Sequence, residues 1–188
     1  MSAYDLPTSL TIGGVGVPIR YGWRAVVDIL VACGDPELDD ETKALVLLQI
    51  MFPEWEKIPD SSIPEALEKA CAFIDCGQKD DGKPRPKMID WEQDAPIIIP
   101  EVNKVAGREV RIDPNIHWWT FFGWFMGIGE GVLGNVLNIR QKLRKGEKLE
   151  KWEREYYQEN QAMCDLERPH TGQENDIIQF ITNWLEGG

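Results

Sequence analysis

The chain of 188 residues carries 32 acidic against 20 basic side chains, a formal net charge of −12. That balance excludes a general electrostatic attraction to nucleic acid or to an anionic membrane. A hydrophobic content of 43% suffices for a core in one domain or two small ones, and the most apolar run, 116–128, falls short of the roughly 20 residues a helix needs to cross a bilayer.

In chain order, Leu10-Thr11-Ile12 and Val17-Pro18-Ile19-Arg20 flank Gly13-Gly14-Val15-Gly16, which predicts a small β-hairpin closed by a glycine turn. Trp23, Val26, Val27, Leu30 and Val31 then line one helical face until Gly34 and Pro36. Asp39, Asp40 and Glu41 place negative charge where a second helix begins, and Leu45, Leu48, Ile50 and Met51 carry it to Pro53. Ser62 and Glu65 have capping-box spacing, with Pro64 in the first turn, and open a third helix through Ala66, Leu67, Ala70, Phe73 and Ile74.

The polar stretch 78–87, with two prolines and a glycine, reads as a linker or exposed loop, placed at 79–88. It separates 1–78, a hairpin plus helical half, from 89–188, a helical and aromatic-rich half, unless the two form one continuous domain. A fourth helix is expected from Asp90, with Gln93 as its capping partner, through Ile97, Ile98, Ile99, Val102 and Val105 to Gly107; Pro96 and Pro100 are placed to break or kink it.

Asp113-Pro114 opens the stretch His117-Trp118-Trp119-Thr120-Phe121-Phe122-Gly123-Trp124-Phe125-Met126, whose apolar residues on every side predict burial on most sides. Beyond the glycines at 127, 129, 131 and 134, Val136, Leu137, Ile139 and Leu143 predict a helix ending near Gly146. Residues 149–166 alternate charges with Trp152, Tyr156, Tyr157 and Met163, as an exposed amphipathic helix does, and a terminal helix is expected around 177–185. The fold class is mainly α, a multi-helix bundle with a small N-terminal β-hairpin, with α+β as the variant.

No catalytic, cofactor-binding or metal-binding residue is expected. Cys33, Cys71, Cys76 and Cys164 form no CxxC pair and the two histidines cannot complete a zinc site, so the cysteines read as reduced, core-lining thiols. Gly129-Glu130-Gly131-Val132-Leu133-Gly134 matches GxGxxG but follows an aromatic helix instead of a strand, and Glu130 opposes a phosphate there, so a helix junction is the preferred reading. Arg140, Lys142, Arg144, Lys145 and Lys148 are followed at once by Glu147, Glu150, Glu153 and Glu155 and read as a solvated helix end. His117 and His170 lack partners at the spacing of a nucleophile assembly, and His117 beside two tryptophans reads as a satisfied, partly buried side chain. Trp118, Trp119 and Trp124 read as core, and Trp152 as an interface residue. Residues 1–10 hold neither a basic region nor an apolar stretch of a secretory signal, which implies cytoplasmic synthesis.

Leu6-Pro7-Thr8-Ser9-Leu10, Ile89-Asp90-Trp91-Glu92-Gln93-Asp94, His117-Trp118-Trp119-Thr120-Phe121 and Leu149-Glu150-Lys151-Trp152-Glu153-Arg154-Glu155 together resemble the bacteriophage gene-product-fifteen family over nearly the whole chain. The family comprises tail-module proteins of siphophages and prophages of Gram-positive bacteria, encoded between the tail tube and tape-measure genes. The resemblance implies no enzyme. It implies a tail assembly chaperone in the cytoplasm of the bacterial host, binding the tape-measure protein and, as a further partner, the tail tube protein, with neither nucleic acid nor membrane. A structural component of the virion tail is the alternative, and a small hydrolase on the second half would need His117 or His170 to meet a nucleophile. Trp152, Tyr156 and Tyr157 are the expected partner-binding residues.

Overall fold

Gly13 and Gly14 adopt φ of +57° and +79°, the paired left-handed conformations of a two-residue hairpin turn, which side chains with a Cβ resist. They join β1 (Ser9–Ile12) to β2 (Val15–Pro18) in antiparallel register, with Leu10 opposite Val17 and Ile12 opposite Val15. The turn is thus shorter than the expected four residues, and Val15 and Gly16 belong to the second strand. Leu10 and Ile12 alternate onto the core while Ser9 and Thr11 face water.

The computed structural model describes residues 4–78 and 87–167. Most of the loop expected at 79–88, the terminal helix expected around 177–185, and His170 lie outside the described residues. The chain is mainly helical. Among the described residues eight α-helices follow the hairpin: α1 (Trp23–Cys33), α2 (Asp40–Met51), α3 (Ile63–Ile74), α4 (Ala95–Ala106), α5 (Trp118–Met126), α6 (Val132–Lys145), α7 (Lys151–Glu159) and α8 (Gln161–Cys164). None is long and apolar enough to cross a membrane among the described residues.

Helix ends show where local signals were redirected. Asp39 caps α2 as its type suggests, accepting from the Thr42 N–H at 2.8 Å. No cation lies in the last turn of α2; Arg20 supplies one from beyond the hairpin, donating to the carbonyls of Gln49 and Ile50 at 2.7 and 2.8 Å. The capping box predicted for α3 does not form: Ser62 makes no side-chain cap bond, and Glu65 instead accepts from the Gly13 N–H at 2.9 Å, satisfying a turn amide that the hairpin leaves unpaired.

The fourth helix begins at Ala95, not near Asp90. Asp90 folds a preceding turn, its Oδ1 accepting from the N–H groups of Glu92 and Gln93 at 3.0 and 2.9 Å. Pro96 and Pro100 leave α4 continuous. Both are exposed, so the Pro96 carbonyl that Pro100 cannot pair with faces water. The 149–166 segment is two helices divided at Asn160, whose Nδ2 and N–H both donate to the Tyr156 carbonyl.

One apolar cluster runs from Leu10 to Leu133 and draws residues from both sides of 79–86; a smaller one joins Val136, Ile139 and Cys164 beneath Leu149, Tyr156, Tyr157 and Met163. Within α5 Trp118 and Phe121 are fully buried, Trp119, Phe122, Trp124 and Phe125 are partly buried against the main cluster, and Met126 at the end of the helix is exposed. Its two leading tryptophans cap another helix. The Trp118 and Trp119 indole N–H groups donate to the carbonyls of Ile74 and Phe73 at 2.7 and 2.8 Å, the last residues of α3, and the Phe73 carbonyl also accepts from the Cys76 N–H at 3.0 Å.

Candidate functional site

The expected partner-binding residues lie on α7, and a buried carboxylate seats that helix. Glu153 is 1% exposed. It accepts from Lys142 Nζ at 2.7 and 2.8 Å and from Asn138 Nδ2 at 2.7 Å on α6, and closes a capping box with Glu150 through the Glu150 N–H at 2.7 Å. The Lys142 hydrogen bond holds its carboxyl below the ordinary glutamate range against the cost of burial, with the Glu150 N–H and Asn138 adding to the effect.

With Glu153 facing inward, Trp152 faces out, 50% exposed. Tyr156 and Tyr157 are partly buried. They pack on the small cluster with Val136, Ile139 and Cys164, and the Tyr157 hydroxyl donates to Asp165 Oδ1 at 2.9 Å. Trp152 is therefore the most exposed of the three expected residues, and the tyrosines help to hold α7 and α8 together.

A second feature is concave. α1 and α4 both pack on α5 and leave a cleft of about 460 Å³ between them. Phe121 lies at its base, stacked on Trp23 with ring centroids 4.6 Å apart and planes within 6°. Val27 forms one wall and Ile98 and Ile99 the other, with Trp91 at the α4 end. The lining also carries two guanidiniums against one carboxylate. Arg24 donates through Nη2 to the Arg111 carbonyl and lies 5.4 Å from the Trp23 ring centroid. Arg111 pairs with Glu109, and its hydrogen bonds hold that carboxyl down at about 2. Burial raises Asp28 above the ordinary aspartate value while Arg24 pulls it back.

Comparison with models of protein families, with curated proteins and with solved structures finds no match. The chemistry of the site therefore rests on the side chains themselves.

His117 has no nitrogen left for proton transfer. It is 7% exposed; Nδ1 accepts from the Trp119 N–H at 3.1 Å, so Nε2 carries the proton and donates to the Pro7 carbonyl at 2.9 Å. Burial lowers its pKa, opposed by the Pro7 carbonyl. Burial pushes the Cys33 thiol up to about 11 and the Cys76 thiol to about 12, and also raises Cys71 and Cys164, the reverse of what an activated nucleophile requires. No group of three or more metal-ligating side chains converges among the described residues.

The GxGxxG match runs from the α5–α6 junction into the first turn of α6, with the Glu101 carboxylate where a phosphate would approach. A Cβ placed on Gly131 would come within 2.9 Å of Glu101 Oε1. An internal anion already faces the start of α6.

The solvated reading of the basic run fails for Arg140, which is 6% exposed. Its Nη1 and Nη2 meet Asp94 Oδ2 and Oδ1, and its remaining N–H groups donate to the carbonyls of Met88, Met163 and Cys164. Gln93 adds a second clamp, donating to the carbonyls of Ala162 and Asp165 and accepting from the Glu167 N–H. Sequence reading missed both. The available signal was spacing: Arg140 lies four residues after Val136 and one after Ile139, on the inward edge of the α6 stripe.

Proposed function

We propose that this protein is a bacteriophage tail assembly protein of the gene-product-fifteen kind, a chaperone that binds the tape-measure protein and keeps it soluble before tube subunits polymerise around it. One observation supports the reading beyond the sequence resemblance: Trp152 stands half in water on a helix anchored to α6 through Glu153 and Lys142. A large indole held out on a fixed helix contributes most when a partner buries it. A long helical client offers apolar stripes that several such contacts engage along its length.

Co-expression with the tape-measure protein tests this. The two should co-purify, and Trp152→Ala should reduce the recovered client without lowering the melting temperature. Client recovery unchanged by Trp152→Ala rejects α7 as the client surface, and failure to co-purify rejects the chaperone reading. The alternative, a structural tail component, follows from the same resemblance. Mass spectrometry of purified particles separates the two, since a chaperone is missing from them and a tail component remains.

A further inference from the structure

Four segments meet around His117. The chain before β1 reaches it through the Pro7 carbonyl, which accepts from Nε2 at 2.9 Å. The entry to α1 joins it by an antiparallel bridge between Gly22 and His117, with the Trp118 N–H on the Tyr21 carbonyl at 2.8 Å and the Trp23 N–H on the Ile116 carbonyl at 3.0 Å. Helix α5 begins on the ring itself, since Nδ1 accepts from the Trp119 N–H at 3.1 Å as the N-cap. The end of α3 depends on that first turn, because Trp118 and Trp119 carry the indoles that bind the Ile74 and Phe73 carbonyls.

The cap works only while the imidazole is neutral. Nε2 holds the one ring proton, so Nδ1 can take a second only by giving up the Trp119 N–H. An imidazolium would set two donors against each other, in a site 7% exposed and at the helix end where the macrodipole opposes positive charge. The rings packed on it are Tyr21 before α1, Phe73 of α3 and Trp119 of α5. Of these Tyr21 is titratable, and a phenol offers an imidazolium no counter-charge in acid. Asp5, Arg20, Arg24, Cys71 and Asp75 lie within two residues of these contacts, and none of them acts on the titration of the ring, which burial lowers and the Pro7 carbonyl opposes.

We propose that His117 is an acid-operated latch on this junction: a proton at Nδ1 uncaps α5, and the indoles of its first turn then release the end of α3. The folded ring binds a proton less readily than an opened one, so the latch is complete above the ordinary histidine range, about 6.5, and fails as pH falls below it. Glu153 acts at lower pH, so the window between about pH 7 and pH 5 separates the two. The inference stands apart from the client reading, because it is tested on the isolated full-length protein.

Amide exchange followed by NMR on the full chain, corrected for the intrinsic pH dependence of exchange, is the test. Protection of the Trp119 amide, and of the Cys76 amide that bonds the Phe73 carbonyl, should fall together by roughly threefold or more from pH 7 to pH 5 as the ring takes its proton. His117→Asn keeps an acceptor at the same distance from the backbone as Nδ1 and cannot take the proton, so its Trp119 protection should stay level over that window. His170 is present in both proteins, and its own titration cancels. Level protection in the unaltered chain overturns the proposal, as does an equal fall in His117→Asn. Should that variant fail to fold, the unaltered chain decides alone: a ring protonated without loss of Trp119 protection rejects the latch.

Discussion

Arg140 and Asp94 meet through two parallel contacts, Nη1 to Oδ2 at 2.7 Å and Nη2 to Oδ1 at 2.8 Å, with both side chains almost wholly out of water. The pair joins α6 to the start of α4, while the other Arg140 N–H groups hold the carbonyls of Met88, Met163 and Cys164. All five guanidinium donors are thereby satisfied, the condition under which a buried ion pair is tolerated.

Removing one partner leaves the other charged and buried. Arg140→Met should lower stability by about 3–5 kcal/mol in urea unfolding. The double variant Arg140→Met/Asp94→Leu should cost less than that single change, because no orphaned carboxylate remains. Equal losses in the two variants would mean that the carboxylate and guanidinium are not energetically coupled.

Glu153 gives α7 an acid-sensitive attachment. Its folded pKa lies below the ordinary value, so its stabilising contribution is complete above the ordinary glutamate range and is lost as pH falls through the folded value. Lys142 is raised, chiefly by its hydrogen bond to Glu153, and its contribution fades only as pH rises through a value above the ordinary lysine range. The charged groups around this pair are Glu150 and Glu147. Stability measured between about pH 7 and pH 3 should therefore fall more in the unaltered protein than in Glu153→Gln. Parallel acid profiles in the two proteins would refute the assignment.

Trp152 and Tyr156 should respond differently to truncation although one turn separates them. Trp152→Ala leaves no cavity in a core and should change stability by no more than about 0.5 kcal/mol. Tyr156→Ala removes cover from Val136, Ile139 and Cys164 and should cost about 1–3 kcal/mol. Thermal melts of the two single variants decide this, and a Trp152→Ala loss as large as that of Tyr156→Ala would contradict the outward placement of Trp152.

The hairpin tip depends on a side chain far along the chain. Glu65→Ala removes the acceptor for the Gly13 N–H and should destabilise by about 1 kcal/mol, while Gly14→Ala, at φ +79°, should cost about 1–2 kcal/mol through left-handed backbone strain. Amide exchange at Gly13 reports the first directly: its rate should rise in Glu65→Ala. An unchanged rate would show that water replaces the carboxylate without penalty.

Helices α1 and α2, and the C-terminal end of α6, were readable within a residue or two, because their apolar stripes repeat at the helical period and Gly34, Pro53 and Gly146 close them; α6 starts at Val132, before the glycine expected to precede it. Asp39 acts as the cap its type and position suggest. The exposure of Trp152 and the satisfied state of His117 were likewise readable from their neighbours. Each of these features, apart from the His117 bond to the Pro7 carbonyl, depends on residues within a few positions of one another.

The remaining features were decided by tertiary structure. Glu65 had the spacing for a capping box yet serves Gly13, Gln93 had the spacing to cap a helix yet clamps α8, and Arg140 looked solvated yet lies at the centre of a buried network. Trp118 and Trp119 read as core mass, and they also cap the end of α3. Local periodicity selects a helix because its hydrogen bonds join residues four apart. A long polar side chain or an indole N–H bonds to whichever unsatisfied group packing brings within reach, and that choice exists only once the helices have met.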